Sequence, residues 1–316
     1  MAVKQLYPNQ RSTLNLNFAR SKTLDPRITF SRGGCAGTYV GSDGLIKTAA
    51  VDEPRFDHDP VTGDCRGLLV EEQRTNSWAN STLYTNWVHH VSQVTSVPAS
   101  GIAPDGTNTA TLLYPNTGGG WALLHKSTSI ASLGTATVSI YIKSAGRQWI
   151  LLWDPWAQYY ASFDILNGVK GTVNSNIGDA NARIEPAGNG WYKCSVTRTH
   201  TGNHYLAIDI ADNDGARGAS LDGTSGVLLW GTQLEQGSFP TSYIPTSGST
   251  CTRNVDEVVI TGTDFSSWYN QGSGTFVITA RPPEGDSYAP FFATNLSTEF
   301  LWKHQTALWR WENSSQ

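Results

Sequence analysis

The sequence predicts an all-β protein whose main body is an antiparallel jelly-roll β-sandwich. Its 316 residues include 31 Gly, 12 Trp and 12 Tyr but a single Met, a balance that favours strands and turns over helices. The chain also repeats short stretches in which apolar and polar residues alternate, and turn-forming residues separate these stretches at intervals typical of a sandwich.

Alternation with a period of two is clearest in three stretches. Every second residue is apolar over residues 136–142 in TATVSIYIK, over 159–165 in QYYASFDI and over 206–210 in HYLAIDI. Such a pattern places one row of side chains in a core and the other row outside. Residues 77–262 are therefore predicted to form the jelly roll.

Composition divides the rest of the chain into three further segments. Residues 1–23 are predicted to be a basic arm that orders only against a partner, and residues 24–76 a turn-rich module that folds as a collar on its neighbour. Residues 263–316 hold roughly half of the about 100 residues that a two-sheet sandwich needs. We expect them to be the start of a second, truncated sandwich.

The charge is uneven along the chain. Residues 1–32 carry six basic side chains against one acidic one, so the remainder of this chain of net charge −4 bears a net −9. A basic arm on an acidic body favours docking to an acidic protein surface over nucleic acid, because aromatic residues do not interleave with the basic ones at the spacing of a helix or a β-ribbon. The docking candidates are Lys4, Arg11, Arg20, Lys22, Arg27 and Arg32.

Targeting and cysteine signals are sparse. The chain has no run of about 18 apolar residues and no secretory leader at its start, so we expect synthesis in a cytoplasm and no membrane insertion. Cys35, Cys65, Cys194 and Cys251 lie far apart without zinc-type spacing. In a reducing compartment they are interpreted as small buried residues rather than as disulfide partners.

Two polar motifs are interpreted as turns. FDHDPVTGD (residues 56–64) has the residue types of a metal or acid–base site, but Asp-Pro and Thr-Gly form turns in which aspartate caps the backbone. DNDG (residues 212–215) begins like a calcium loop, yet the twelfth position is Gly223 where glutamate is required. No cofactor is predicted. A structural calcium stays open as a weak alternative, with Glu72, Asp212 or Glu235 as ligands.

No catalytic pattern is present. The sequence has no GxSxG elbow and no spacing that predicts a catalytic triad, and a carboxylate pair for glycoside cleavage has no sequence signature. We therefore expect a protein that is not an enzyme.

The aromatic stretch LLWDPWAQYY (residues 151–160) is the best candidate for a binding site. Alternation puts Tyr159 in the core with Phe163 and Tyr160 outside, and Trp149 and Trp153 also point outward if Ile150 and Leu152 face inward. Trp156 follows an Asp-Pro turn and is predicted at a loop tip.

We therefore predict an exposed aromatic surface with polar neighbours on one sheet. Flat rings match the apolar faces of sugars, and exposed apolar patches usually mark interfaces. Three alternatives remain: a glycan site, a subunit contact, or burial under the fourth segment. The surface comprises Trp149, Trp153, Trp156 and Tyr160, with Asp154, Gln158 and Asp164 as neighbours.

Residues 24–76 also carry a family resemblance. LDPRITFSR, TYV before a DG turn and LIKTAA, PRFDHDPVTG and GLLVEEQRTN occur in this order. The segment resembles the opening module of a family of bacteriophage virion proteins. WGTQLEQGSFPTSYIPT, starting at Trp230, resembles the closing stretch of the carbohydrate-binding-module-like jelly roll that follows this module in the family.

The resemblance implies a structural component of a tailed phage virion, such as a tail fibre, a capsid fibre or a decoration protein. It also implies a concanavalin-A-like or laminin-G-like sandwich from Gly274 onward, virion proteins as partners and a trimeric assembly. We expect adsorption to a host surface glycan without bond making. A capsid decoration protein and a polysaccharide depolymerase are the alternatives.

Overall fold

A computed structural model describes residues 12–82, 84, 87–89, 94–117, 123–127, 134–154, 159–174, 181–200, 205–279 and 306–312. The helices and strands, in chain order, are α1 (Phe18–Ser21), β1 (Thr29–Ser31), β2 (Gly37–Val40), β3 (Ile46–Ala49), β4 (Arg55–His58), β5 (Cys65–Leu69), β6 (Arg74–Asn76), β7 (Val88–His89), β8 (Val94–Gly101), β9 (Ala110–Pro115), β10 (Leu123–Ser127), β11 (Gly134–Ala145), β12 (Trp149–Asp154), β13 (Tyr159–Asp164), β14 (Val169–Val173), β15 (Ala182–Pro186), β16 (Trp191–His200), β17 (Tyr205–Ala211), β18 (Gly226–Gln236), β19 (Cys251–Arg253), β20 (Glu257–Val259), α2 (Gly262–Ser266), β21 (Ser273–Thr279) and β22 (Thr306–Glu312).

Two six-stranded antiparallel sheets form the body of the protein. The first sheet has the strand order β14-β13-β12-β17-β10-β7 and the second has the order β15-β16-β11-β18-β9-β8. The prediction of an all-β, antiparallel fold is confirmed, and the arrangement is that of a β-sandwich.

The main core lies between the two sheets. The first sheet contributes Ile150, Leu152 and Phe163, and the second contributes Ile140 and Ile142, all of them almost fully buried. These residues occupy alternate positions in β11, β12 and β13, because successive side chains of a strand point to opposite faces. The period-two pattern of the sequence thus identified the rows that meet in the core.

A second, aromatic cluster covers the outer face of the second sheet. Tyr141, Trp230 and Tyr243 are buried there, and the Trp230 and Tyr243 ring centroids are 4.5 Å apart. The β11–β18 register shifts between Ser139 and Tyr141, so a β-bulge lies immediately before this ring. Ile46 of β3 belongs to the same cluster, which means that residues 24–76, the collar, pack on this sheet.

The collar is completed by chain that follows the sandwich. β2 pairs with β3 and β4 with β5 within the collar, whereas β1 pairs with β20 and β6 with β19. We call residues 240–259, which contain β19 and β20, the return segment. Ser31 of β1 pairs with Glu257 of β20, which lies 226 residues later in the sequence. This pairing joins the collar to the chain that follows the sandwich.

A disulfide joins the collar to the return segment, which corrects the interpretation of all four cysteines as free. Cys35 and Cys251 are bonded across a sequence separation of 216 residues, with their Cα atoms 6.1 Å apart. The β6–β19 pairing and the hydrogen bond from the Cys35 amide to the Thr252 carbonyl bring the two residues together. Cys65 and Cys194 are free thiols.

The last described elements are α2 and the pair β21–β22. β21 and β22 pair in antiparallel register from Ser273↔Glu312 to Thr279↔Thr306. None of the helices in the described part of the chain has the length and apolar character needed to cross a membrane.

A candidate binding face on the first sheet

The outer face of the first sheet carries three of the four predicted rings. Trp149 and Trp153 alternate with the buried Ile150 and Leu152 along β12 and therefore point away from the core. Tyr160 of β13 lies directly opposite Trp153 in the register. All three rings are half-buried rather than exposed. Trp156 and Gln158 lie outside the described residues.

The chain itself covers much of this face. Residues 212–225, between β17 and β18, form what we call the covering loop. The Arg217 guanidinium carbon lies 3.5 Å from the centroid of the Trp153 ring, and the Gly215 amide donates to Ser162 Oγ of β13 over 3.2 Å. The sequence predicts a turn at DNDG (residues 212–215) and gives no periodic signal for the packing of the loop that follows.

Carboxylates hold the covering loop in place. Asp214 accepts hydrogen bonds from the amide and the hydroxyl of Thr172 in β14, over 2.8 and 2.9 Å. At the base of the loop, Arg147 is paired with Asp212 at 2.6 Å and with Asp222 at 3.0 Å. Amide donors at Thr224 and Ser225 lower the pKa of Asp222. The loop is thus anchored at both ends and at its middle.

Asp209 of β17 lies beneath the loop on the same face. It is fully buried and stands opposite Leu151 of β12, and neither of its carboxylate oxygens accepts a hydrogen bond of normal geometry. Arg217 Nε is 3.6 Å from Asp209 Oδ2. Burial raises the pKa of Asp209 to about 7, although Arg217 acts in the opposite direction.

Asp154 does not lie on this face, contrary to the prediction. Its position in β12 has the same parity as Leu152, so its side chain points between the sheets. There it forms a buried ion pair with Arg198 of β16, a strand of the second sheet. Proximity in sequence to Trp153 was the wrong criterion, because neighbours along a strand face opposite ways.

Asp164 has the expected outward parity but is only 5% exposed. It accepts hydrogen bonds from Gln148 Nε2 at 2.7 Å and from the amides of Leu166 and Asn167. Burial opposes its ionisation, but the donors of Asn167 and Gln148 prevail and lower its pKa. It caps the turn after β13 and lies directly opposite Trp149 in the register, so it is a polar neighbour of the rings that is already hydrogen-bonded.

The predicted docking residues separate into distinct environments. Arg20 and Lys22 of the α1 region are exposed, and Arg27 is paired with Asp25 at 2.7 Å. Lys4 and Arg11 lie outside the described residues.

Arg32 is not available for docking, which corrects the prediction. Its side chain is fully buried, donates to the Glu53 carbonyl over 2.9 Å and lies 3.5 Å from Asp256. The distribution of charge along the sequence could not predict the burial of Arg32, because its acidic partner, Asp256, belongs to the return segment.

Arg32 belongs to a group that we call the junction cluster. Arg55 Nη1 is 2.7 Å from Glu71 Oε2, Arg55 Nη2 is 2.5 Å from Asp256 Oδ2, and Arg253 Nη1 is 2.6 Å from Glu71 Oε2. The arginine side chains are fully buried. Burial would raise the pKa of Glu71, but Arg253 and Arg55 outweigh it and lower this pKa to about 2. The cluster ties the collar to the return segment.

The polar motifs form turns and ion pairs. Asp59 accepts hydrogen bonds from the amides of Val61 and Thr62 over 2.9 and 3.0 Å, which is the capping geometry expected for FDHDPVTGD. Among the weak calcium candidates, Glu72 pairs with Arg74, Asp212 with Arg147, and Glu235 accepts from the Thr241 amide. The described residues contain no group of three or more metal-ligating side chains.

An open cleft of about 380 Å³ separates the collar from the sandwich. Turns at residues 42–44 and 60–63 face the turn at residues 186–192 across it. Gly188 permits the close approach, because a Cβ there would lie 2.7 Å from the Pro60 carbonyl oxygen and its φ is +79°. The cleft marks the seam between the two parts.

No protein-family model and no curated protein sequence matches the chain.

Proposed function

We propose that this protein is a non-enzymatic structural component of a tailed bacteriophage virion, a tail fibre or capsid fibre, that adsorbs to glycans of the host surface. Binding takes place at the outer face of the first sheet. The observation that carries the proposal is the grouping of Trp149, Trp153 and Tyr160 on one face of a strand-paired sheet. Its attachment to the particle rests on the family resemblance of residues 24–76.

Half-buried rings suit sugar recognition. An aromatic ring offers a flat apolar surface that loses little conformational entropy on contact, and a few placed polar groups then fix orientation. Here the rings stand on adjacent, hydrogen-bonded strands, and Arg217 and the exposed Asp214 lie on the covering loop beside them. A trimer of such faces would bind a repeating surface glycan more firmly than one copy, through effective concentration.

A glycan array tests the binding proposal. Trp153→Ala removes the ring at the centre of the face and should lower the array signal at least about tenfold, the effect of roughly 1.4 kcal/mol. Tyr39→Ala is the matched control, because Tyr39 is a half-buried ring in the collar. Equal signals from wild type and Trp153→Ala, or no signal from wild type, would remove glycan adsorption as the function.

A capsid decoration protein is the second candidate, and the exposed Arg20 and Lys22 favour it. Reversal of both charges (Arg20→Glu with Lys22→Glu) should lower incorporation into particles severalfold if a basic arm docks on an acidic shell. Lys143→Glu with Lys170→Glu, on the sandwich, is the matched control. Unchanged incorporation of the arm variant would contradict electrostatic docking.

The depolymerase alternative has its own measurement. The purified protein incubated with host capsule should release no reducing ends. Steady release of reducing ends would show that the protein cleaves the glycan and would contradict adsorption without cleavage.

A further inference from the structure

We propose that the first residues of the N-terminal arm, residues 1–11, dock on an acidic, apolar surface of the collar and the return segment of their own chain. We call this surface the valine patch, and its exposed side chains are Val70, Val255, Val259, Glu72 and Glu257. The inference goes beyond the proposed function and does not depend on glycan binding.

The patch lies on two neighbouring stretches of chain. The amide of Asp256 donates to the carbonyl of Glu71 over 2.9 Å, which continues the antiparallel β6–β19 register toward residues 70–72. In that register Val70 lies opposite Glu257. The patch residues of the collar and of the return segment are therefore direct neighbours.

Alternation turns the patch residues to the outside. Glu71 and Asp256 point inward, into the junction cluster, so the residues next to them in the sequence point outward. Val255 keeps 44% of its surface exposed, Val259 45% and Val70 53%. Because clustered apolar side chains at a surface usually mark an interaction site, the patch is a candidate docking surface.

The polar members of the patch are acidic. The Glu257 carboxylate accepts a hydrogen bond from the neutral hydroxyl of Ser31 over 3.2 Å. The Glu72 side chain is 54% exposed, whereas its partner Arg74 is only 11% exposed. The carboxylates are thus more accessible than the cation beside them.

The surroundings of the patch are also negative. Asp52 and Glu53, in the turn beside β1, are exposed and accept hydrogen bonds from backbone amides over 2.8 and 2.7 Å. Arg27, just before β1, is already paired with Asp25. With the junction cluster beneath them, the patch and its flanks hold seven acidic side chains against five basic ones. This balance favours a basic partner.

The start of the arm matches this surface in chemistry. Residues 1–11 (MAVKQLYPNQR) contain Lys4 and Arg11 and no acidic side chain. Val3 and Leu6 supply apolar groups between these charges. The segment therefore offers both a positive charge for the carboxylates and apolar surface for the valines.

Charge argues against two other occupants. A second copy of the patch would bring like charges together, which costs free energy at an interface. Residues 280–305, which lie outside the described residues, carry three acidic and two basic side chains. They share the sign of the patch, so the arm is the better partner.

The arm of the same chain can reach the patch. Phe18 of α1 lies against β5, where a Cβ on Gly67 would be 3.7 Å from the Phe18 Cβ atom. Val70 follows three residues after Gly67, about 10 Å along an extended chain. Lys4 precedes Phe18 by 14 residues, a length that spans up to about 46 Å. This tether favours the arm of the same chain over that of another copy through effective concentration.

Zero-length cross-linking of the full chain with a carbodiimide, followed by peptide mass spectrometry, tests the proposal. The reagent joins an amine to a carboxylate in contact with it, with loss of water. Lys4 should be linked to Glu257 or Glu72 several times more often than to Asp222, an exposed carboxylate of the covering loop. The linked protein should run as a monomer on a denaturing gel, because the contact lies within one chain.

Two double variants measure the contribution of the valines. Val255→Ser with Val259→Ser should lower the yield of these links severalfold, since both changes remove apolar surface that the arm covers. Val97→Ser with Val169→Ser is the matched control, because these exposed valines lie on the sandwich. The control should give the yield of wild type.

The contrary outcomes are distinct. Links between two chains would show that the arm docks on another copy, and links from the patch to Lys303 would show that residues 280–305 cover it. Links from Lys4 that are spread evenly over the carboxylates of the chain, or equal yields from the two double variants, would also overturn the proposal. The wild-type pattern needs no variant, and none of these outcomes bears on glycan adsorption, which the array measures separately.

Discussion

Asp209 illustrates how the environment of one side chain can set a pH dependence. Its pKa rises from 3.8 to about 7 on folding because the carboxyl is fully buried on the outer face of the first sheet. A folded-state pKa above the unfolded value means that the folded protein holds the proton between these two pH values. The contribution of this proton to the free energy of unfolding is complete below about pH 4 and is lost as the pH rises through about 7.

We expect Asp209→Asn to remove this dependence. Relative to the variant, wild type should lose on the order of 4 kcal/mol of unfolding free energy between about pH 4 and pH 7, at about 1.4 kcal/mol per pKa unit. Denaturant unfolding of both proteins at a series of pH values measures the difference. Parallel curves would show that Asp209 keeps an ordinary pKa in the folded protein.

Glu71 shows the opposite case at the same scale. Arg55 and Arg253 lower its pKa from 4.5 to about 2, so its stabilisation is complete above 4.5 and is lost as the pH falls toward 2. Glu71→Gln should lower the unfolding free energy at neutral pH by about 3–5 kcal/mol, because the buried Arg253 loses its ion-pair carboxylate and Arg55 keeps only Asp256.

Glu72→Gln is the matched control for Glu71→Gln. Glu72 is the next residue, and it pairs with Arg74 while its own side chain is 54% exposed. A carboxylate that is exposed to this extent contributes about 1 kcal/mol or less through its ion pair. Similar losses from the two variants, measured by denaturant unfolding, would mean that the junction cluster adds little to stability.

At the scale of elements, the sequence predicted strands better than it predicted what covers them. Alternation identified the core rows of β11, β13 and β17, because burial on one face imposes a period of two on the residues themselves. The covering loop escaped notice, since a loop packs through a few contacts, such as that of Arg217 on Trp153, that leave no periodic signal. Asp154 was misplaced although its parity with Leu152 already assigned it to the core side; its partner there, Arg198, lies 44 residues later in the sequence.

Pairings between residues far apart in the sequence could likewise not be predicted from local patterns. Thr29 meets Val259 and Cys35 meets Cys251, yet nothing near either member of a pair points to the other. The expectation of free cysteines followed from the assumed compartment and not from geometry. Spatial neighbours separated by more than 200 residues are fixed by the whole fold, so a single sequence carries little information about them.

At the scale of the molecule, the disulfide between Cys35 and Cys251 closes a loop of 216 residues with a covalent bond. Cross-links that span a loop of 216 residues restrict the unfolded chain most, by about 5 kcal/mol in the chain-entropy account. We expect Cys35→Ser to lower the unfolding free energy by about 3–5 kcal/mol under oxidising conditions and by much less in the presence of a reductant.

Cys65→Ser is the matched control for Cys35→Ser. Cys65 is a half-buried free thiol of the collar, so its replacement should give the same small change with and without reductant. Thermal unfolding in both conditions measures all three proteins. A loss from Cys35→Ser that does not depend on reductant would mean that the cysteine acts through packing and not through its bond.

The pairing of β1 with β20 also determines how the molecule carries mechanical load. Thr29 of the collar and Val259 of the return segment lie directly opposite each other, so tension applied between the segments before and after this pair first separates β1 from β20. The unzipping stops at the covalent link between Cys35 and Cys251. Force then passes through that bond and bypasses the sandwich, whose rings would keep their arrangement while the chain on either side is under strain.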